Sequence, residues 1–213
     1  LSEQPRSLVV VGGRFIALEL GQMFARFGTA VTILQRSPRL IPEHEPDIAD
    51  ALAASLRDEG LTVHTRVEVL NLREDAAVKV VTARLDGRDQ AFRAEQVLMA
   101  TGRTPNTEGL GLDELGVTRD RHGFIVVDDR LQTSHLHVYA AGDVTNRPKL
   151  VYVAAAAGGI AAENALNGNT RTLDLSVLPD VIFTDPQVAS VGLTERQATH
   201  AGYRVEIAVL PLS

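Results

Sequence analysis

A glycine-rich turn near the start of the chain has the residue types and spacing of a phosphate-binding loop. It follows an apolar run at residues 8–11 and opens a segment with helical periodicity. Glycine permits a tight turn there, and the free amides at the start of the next helix attract an anion. The segment therefore predicts a site for the pyrophosphate of a dinucleotide. The candidate binding residues of the turn are Gly12, Gly13, Arg14, Phe15, Ile16 and Ala17.

Arg14 departs from the dinucleotide fingerprint, because a second glycine is expected at that position. The departure predicts that the phosphate contact differs in its fine geometry. A lone glycine motif is weak evidence, and a purely structural turn between strand and helix is the alternative explanation.

A second candidate contact lies at the end of the next apolar run, where Gln35 and Arg36 stand about 23 residues beyond Gly12. An NAD-binding unit presents an acid there to the ribose 2′-hydroxyl. A guanidinium instead binds a 2′-phosphate, which an acid would repel. Gln35 and Arg36, with Arg39 close behind, therefore favour NADPH over NADH. The alternative is that these arginines are solvated loop charges.

The elements around these residues follow a strand–helix–strand pattern. Residues 8–11 and 30–34 are predicted strands, and the intervening helix ends at Gly28. Further along the chain, Asp86-Gly87 predicts a hairpin. The remaining predictions are a helix over 48–56, strands over 124–127, 138–141, 181–183 and 188–191, an apolar run over 203–210, and a helix over 152–166.

Composition and charge exclude several classes of function. The 27 acidic and 21 basic residues give a net charge of −6, and no Lys/Arg run is long enough to follow a nucleic-acid backbone. Cysteine is absent, which excludes a disulfide and a catalytic thiol within these residues. His135 and His137 lack further ligands at a metal-site spacing, so we interpret them as strand-edge side chains. Without a membrane-spanning run or signal peptide, we expect a cytoplasmic protein with no membrane or nucleic-acid partner.

Three ordered motifs resemble those of the pyridine nucleotide-disulfide oxidoreductase family. They are the glycine-rich turn continued by Ala17-Leu18-Glu19, the segment ATGRTPN at 100–106 and the segment YAAGD at 139–143. Within that family, residues 151–158, 183–186 and 209–212 are similar to the mercuric reductase branch. The resemblance covers essentially the whole chain.

The resemblance implies an α/β fold in which a Rossmann-like NAD(P)-binding domain is inserted in an FAD domain. It places the NAD(P)-binding domain at residues 1–104, the C-terminal part of the FAD-binding domain at 105–176 and the start of a truncated α+β dimerisation domain at 177–213. FAD and NADPH are the implied cofactors. A homodimer is the implied state of the full-length protein, in which the rest of the same chain would complete the flavin and dimerisation domains.

The resemblance also implies roles for individual residues. Asp143 would accept hydrogen bonds from the FAD ribityl chain, and Val151 would offer its backbone to the flavin ring at a helix start. Gly102 would admit the nicotinamide half of NADPH, and Glu19 is the candidate catalytic residue beside the nicotinamide and flavin rings. The alternatives are a turn aspartate, a core valine and a glutamate on a helix surface.

The implied function is hydride transfer from NADPH to FAD and onward to a cysteine pair, with reduction of Hg(II) to Hg(0) as the expected outcome. Because the sequence holds no cysteine, we expect the chain by itself to be inactive. A dihydrolipoamide dehydrogenase-type, NAD-dependent oxidoreductase is the first alternative, and Gln35-Arg36 counts against it. A noncatalytic dinucleotide-binding module is the second alternative.

Overall fold

The computed structural model describes residues 1–210 and divides the chain into two compact units. The first unit joins Leu1–Thr101 to the segment that begins at Leu178, and the second unit is Gly102–Val177. Residues 211 and 212, which belong to the mercuric reductase-like segment 209–212, lie outside the described residues. The elements in chain order are β1 (Ser7–Val11), α1 (Phe15–Arg26), β2 (Ala30–Leu34), α2 (Pro46–Asp58), β3 (Thr62–His64), β4 (Glu68–Asp75), β5 (Val78–Leu85), β6 (Arg88–Ala94), β7 (Gln96–Met99), α3 (Val151–Asn167), β8 (Pro179–Ile182), β9 (Val188–Val191) and α4 (Glu195–His200).

The first unit is built on a four-stranded parallel sheet with the order β3-β2-β1-β7. The predicted α/β fold class and its first strand–helix–strand unit are confirmed. Because all four strands run in one direction, their carboxyl ends meet at one edge, and the connections after β1 and β2 lie there. The glycine-rich turn is the connection after β1, and Gln35 and Arg36 begin the connection after β2.

The sheet is buried on both faces, which explains why its strands are continuous apolar runs. Val10 belongs to the core cluster that also contains Leu18 of α1 and Leu52 of α2. Val9, on the opposite face, packs in a cluster with Val81 of β5. Helices α1 and α2 thus cover one face, and a three-stranded antiparallel sheet, β4-β5-β6, covers the other.

The hairpin between β5 and β6 is confirmed at Asp86-Gly87. Both residues have positive φ, 50° and 76°, and Leu85 pairs with Arg88 across the turn. Positive φ at both central positions matches the twist of paired strands, which is why Asp-Gly favours such turns.

The segment that begins at Leu178 forms the antiparallel pair β8-β9 and contributes to the core of the first unit. Ile182 is fully buried there, and Val188 joins the same cluster as Leu18 and Leu52. The turn between the two strands is held by Gln22 of α1, whose amide donates to the Asp185 carbonyl at 2.7 Å and accepts from the Asp185 N–H at 2.8 Å. A buried polar side chain that satisfies a turn in this way fixes the turn on the helix.

The second unit contains less regular structure than the sequence predicts. The helix predicted over 152–166 is confirmed as α3, which ends at Gly168 in the left-handed conformation. The strands predicted over 124–127 and 138–141 are wrong, because Ile125 and Tyr139 form only isolated bridges. Their apolar residues favour strands, but strand formation also requires a neighbouring ladder, and a single bridge does not supply one.

The end of the first unit also differs from the sequence pattern. Residues 203–210 carry no regular strand, and α4 forms at 195–200 where no helix was predicted. Thr194 and Gln197 make the reciprocal bonds of a capping box at the start of α4, which stabilises so short a helix. No helix within residues 1–210 is long and apolar enough to cross a membrane. The same residues contain no cluster of three or more potential metal ligands.

The environment of His64 makes the stability of the first unit pH-dependent. Burial lowers the pKa of His64 below its usual value, and the charge of Arg57 lowers it further. The unfolded chain therefore binds more protons than the folded chain, and the unfolding free energy decreases as the pH falls through about 6.5 toward the folded pKa. We expect the urea midpoint to fall between about pH 7 and pH 5, and to fall less in His64→Gln.

The matched control is His200→Gln, which alters an exposed histidine of the same unit. A pH dependence that is the same in His64→Gln and the unaltered chain would contradict this account.

Candidate active site

The glycine-rich turn follows β1, which lies between β2 and β7 in the sheet, and the surroundings leave no room for a side chain at either glycine. Gly12 has a φ of +131°, and a Cβ on it would lie 2.4 Å from the Ala100 carbonyl oxygen. A Cβ on Gly13 would lie 2.9 Å from the side chain of Gln35. The turn is also bonded on both sides, since the Gly12 N–H donates to the Leu34 carbonyl at 3.0 Å and the Ile41 N–H donates to the Gly13 carbonyl at 2.8 Å.

The N-terminus of α1 follows this turn and has no side-chain cap. Arg14 is the N-cap residue, its backbone is extended with a φ of −111°, and the first turn of the helix holds no acidic residue. The amides of an uncapped first turn carry a partial positive charge that suits an anion. Among the predicted contacts, Ala17 is buried against the sheet, while Phe15 is half-buried and Ile16 is exposed.

The Arg14 side chain is exposed and forms an ion pair with Glu43, which lies in the loop after β2. The sequence does not reveal this partner, because Glu43 is 29 residues along the chain and follows no helical or strand spacing.

The predicted 2′-phosphate contacts divide into one inward and one outward side chain. Gln35 is buried and its amide is used internally, donating to the Arg39 carbonyl at 3.3 Å and accepting from the Arg36 N–H at 3.0 Å. Arg36 is exposed, and its guanidinium has no hydrogen-bond or ion-pair partner within residues 1–210. Arg39 is paired with Asp50 at 3.3 Å. Within residues 1–210, Arg36 is therefore an unpaired cation that directly follows β2.

Glu19 lies on α1, and its carboxylate is held by backbone rather than by a cation. Its Oε1 accepts from the Phe183 N–H at 2.9 Å. Gln22, one turn further along the helix, holds Asp185 in the same segment, and Arg26 donates to the Asp185 carboxylate at 2.8 Å. Arg26 also donates to the carboxylate of Glu59, and these hydrogen bonds lower the pKa of Glu59 below its usual value. Three successive turns of α1 thus fix the 183–185 segment, and with it the Glu19 carboxylate.

The second unit holds the other three predicted site residues. Gly102 has a φ of +127° and no atom within 4 Å of where a Cβ would be, so its conformation rather than crowding favours glycine. Asp143 lies in a single 3₁₀ turn, Gly142–Val144, and its Oδ2 accepts from Arg103 Nη1 at 2.8 Å. The same arginine nitrogen reaches the Lys149 carbonyl at 3.4 Å, which ties this turn to the segment that enters α3.

Val151 is the first residue of α3 and is 83% exposed, so the alternative of a core valine is wrong. Leu150 caps the helix without a side-chain hydrogen bond, which leaves the first amides of α3 free of side-chain partners. This end of α3 resembles the start of α1 in offering uncapped amides.

Comparison with known proteins identifies two family models along the chain. The model described as pyridine nucleotide-disulphide oxidoreductase matches residues 1–158. The model for the dimerisation domain of the same family matches residues 178–213.

Curated relatives of two kinds match nearly the whole chain. A mercuric reductase from Staphylococcus aureus is 46% identical over 212 residues, covering 100% of this chain and 39% of the relative. A dihydrolipoyl dehydrogenase from Thermus scotoductus is 39% identical over 211 residues, covering 98% of this chain and 45% of the relative. The chain thus spans less than half the length of these relatives.

Solved structures agree with the fold. The HOCl-induced flavoprotein disulfide reductase RclA from Escherichia coli has a TM-score of 0.85 at 31% identity, covering 99% of this chain and 48% of that protein. LpdA from Mycobacterium tuberculosis has a TM-score of 0.84 at 29% identity, covering 94% of this chain and 43% of that protein.

The close approach at Gly12 predicts a large cost for any side chain there. We expect Gly12→Ala to lower the unfolding free energy by about 2–5 kcal/mol, because a positive φ and an overpacked contact add their penalties. Gly60→Ala is the matched control, since Gly60 also has a positive φ, +91°, but has no atom within 4 Å of its Cβ position. Urea unfolding of both variants checks the prediction, and equal losses of stability would contradict it.

Proposed function

The chain belongs to the pyridine nucleotide-disulphide oxidoreductase family, and from that premise we propose that it is the NADPH-binding core of a mercuric reductase-type flavoprotein. In that function bound FAD would carry a hydride from NADPH to a cysteine pair. The residues of this chain bind and orient the cofactors. The metal step needs thiols, and these 213 residues contain none, so the thiols must come from elsewhere in the enzyme.

The observation that carries the proposal is the pairing of an uncapped helix start with an unpaired arginine at the same sheet edge. The α1 amides beyond Gly13 suit the pyrophosphate, and the guanidinium of Arg36 suits a 2′-phosphate. Gln35 is neutral and its buried amide is already bonded to backbone, so it places no negative charge where it would repel a 2′-phosphate. NADPH fits this donor set better than NADH.

The geometry of Glu19 supports its proposed place beside the nicotinamide. Its carboxylate has one oxygen bonded to the Phe183 N–H, and the residue is only partly buried. A carboxylate fixed by a backbone donor has a defined orientation and a second oxygen that can accept a hydrogen bond. We assign to Glu19 the positioning of the nicotinamide ring.

The second unit offers groups that fit FAD. Asp143 is exposed, and its carboxylate can accept further hydrogen bonds beside the one from Arg103, as a ribityl hydroxyl requires. The uncapped start of α3 at Val151 would favour the negative charge of a reduced flavin ring. The positive φ of Gly102 fits a backbone segment that a bulky ring approaches.

A dihydrolipoyl dehydrogenase is the second candidate, because relatives of that kind are only a little less similar to the chain. The nucleotide discriminates between the two proposals. A dehydrogenase of the NAD-dependent kind would need an acceptor for the ribose 2′-hydroxyl, and the residue at that place here is Gln35 with its oxygen already bonded to Arg36.

We expect the chain to bind NADPH more tightly than NADH in a calorimetric titration. Arg36→Ala should weaken NADPH binding by about tenfold or more and leave NADH binding nearly unchanged, because a charge-assisted phosphate contact contributes about 1.5–3 kcal/mol. The control is Arg88→Ala, which removes another exposed arginine of the first unit, on β6. Equal affinities for the two nucleotides in the unaltered chain would favour the dehydrogenase, and binding of neither would overturn the proposed function.

A further inference from the structure

We propose that Arg14 is a direct ligand of the dinucleotide diphosphate, and that Glu43 holds its guanidinium and competes with the phosphates when no nucleotide is bound. The inference rests on the proposed function and deepens it. It assigns a role to the residue that stands where the fingerprint has its second glycine.

The backbone at this position accepts a side chain without strain. Arg14 has a φ of −111° and a ψ of −170°, an extended conformation open to any residue. Gly12, by contrast, has a positive φ and lies against Ala100. The fingerprint has therefore lost a glycine only where the fold does not demand one.

The direction of the side chain keeps the anion site open. Arg14 makes no side-chain cap at α1, so it leaves the first amides of the helix available. Its side chain is 64% exposed and bends toward the loop after β2, where it meets Glu43, itself 49% exposed. A cation at the N-cap residue lies within reach of an anion bound to those amides.

Glu43 is held over the turn by a loop that is fixed on both sides of it. Ile41 is fully buried, and its N–H donates to the Gly13 carbonyl at 2.8 Å. Glu45 accepts from the Glu195 N–H at 2.6 Å. Because residues 41 and 45 are both bonded, the loop keeps the Glu43 carboxylate beside Arg14 at the start of α1.

The energetics favour exchange of partners. An ion pair that is half-exposed on both sides contributes little to stability, so it is separated at low cost. A diphosphate carries two charges and accepts the two parallel N–H bonds of a guanidinium, and it therefore competes well with a single carboxylate. Arg14 can thus leave Glu43 when the nucleotide binds, while Glu43 lowers the net affinity.

The test is calorimetric titration of the purified chain at fixed ionic strength with two probes. NADPH carries both the diphosphate and the 2′-phosphate, whereas adenosine 2′-monophosphate carries only the latter. The variants are Arg14→Ala, Arg14→Gly, Glu43→Gln and the double variant Arg14→Ala with Glu43→Gln. Arg84→Ala is the matched control, because Arg84 is an exposed arginine paired with Glu68 and Asp89 on the antiparallel sheet. Thermal unfolding of each variant verifies that it is folded.

We expect Arg14→Ala and Arg14→Gly to raise the Kd for NADPH by about tenfold and to leave the Kd for adenosine 2′-monophosphate unchanged. Glu43→Gln should lower the Kd for NADPH by about threefold or more, and this gain should vanish when Arg14 is also replaced.

Several outcomes would overturn the inference. Unchanged or tighter NADPH binding in Arg14→Gly would mean that the arginine is a bystander or an obstruction. An equal loss for adenosine 2′-monophosphate would place the contact on the 2′-phosphate instead of the diphosphate. These results leave the proposed function standing, whereas failure of the unaltered chain to bind NADPH would overturn both.

Discussion

The close packing of backbone at the Gly12-Gly13 turn is the constraint on which the rest of the site depends. The carbonyl oxygen of Ala100, just after β7, lies 2.4 Å from where a Cβ of Gly12 would be, and the Gln35 side chain, just after β2, lies 2.9 Å from where a Cβ of Gly13 would be. The turn can run this close to the ends of β7 and β2 because neither residue has a side chain. This close approach places the start of α1 and the end of β2 beside each other, as a dinucleotide site requires.

Charge is distributed unevenly around that turn. The chain carries a net charge of −6, yet four arginines, Arg14, Arg36, Arg39 and Arg66, lie in the connections that follow β1, β2 and β3 at the carboxyl edge of the sheet. Two of them are paired with acids of the loop and helix that follow β2, and the side chains of Arg36 and Arg66 have no partner within the described residues. Local positive charge in an otherwise acidic protein attracts anionic ligands to this one edge.

Local patterns predicted much of the fold and indicated the residues of the candidate site. The strand–turn–helix at 8–26, the hairpin at Asp86-Gly87 and the long helix α3 could be read from periodicity, glycines and turn residues, because those signals lie within a short stretch of chain. The strands predicted over 124–127 and 138–141 do not form, because a strand needs neighbouring ladder partners and no local pattern indicates whether they are present. The bonds of Gln22 and Glu19 to residues 183–185 join positions more than 150 residues apart, which spacing along the sequence cannot indicate. Spacing along the sequence also cannot indicate that Glu43 lies beside Arg14, because this contact depends on a loop that the buried Ile41 holds against the turn.

The most direct test of the central claim, that the β1–α1 turn is a nucleotide site, is the two-dimensional amide NMR spectrum of the isotope-labelled chain during titration with NADPH. The account predicts that the largest shifts fall on the amides of Gly12, Gly13 and residues 14–17, and on Arg36. The antiparallel sheet β4-β5-β6 should remain unperturbed. Shifts confined to other parts of the chain, with the turn unaffected, would contradict it.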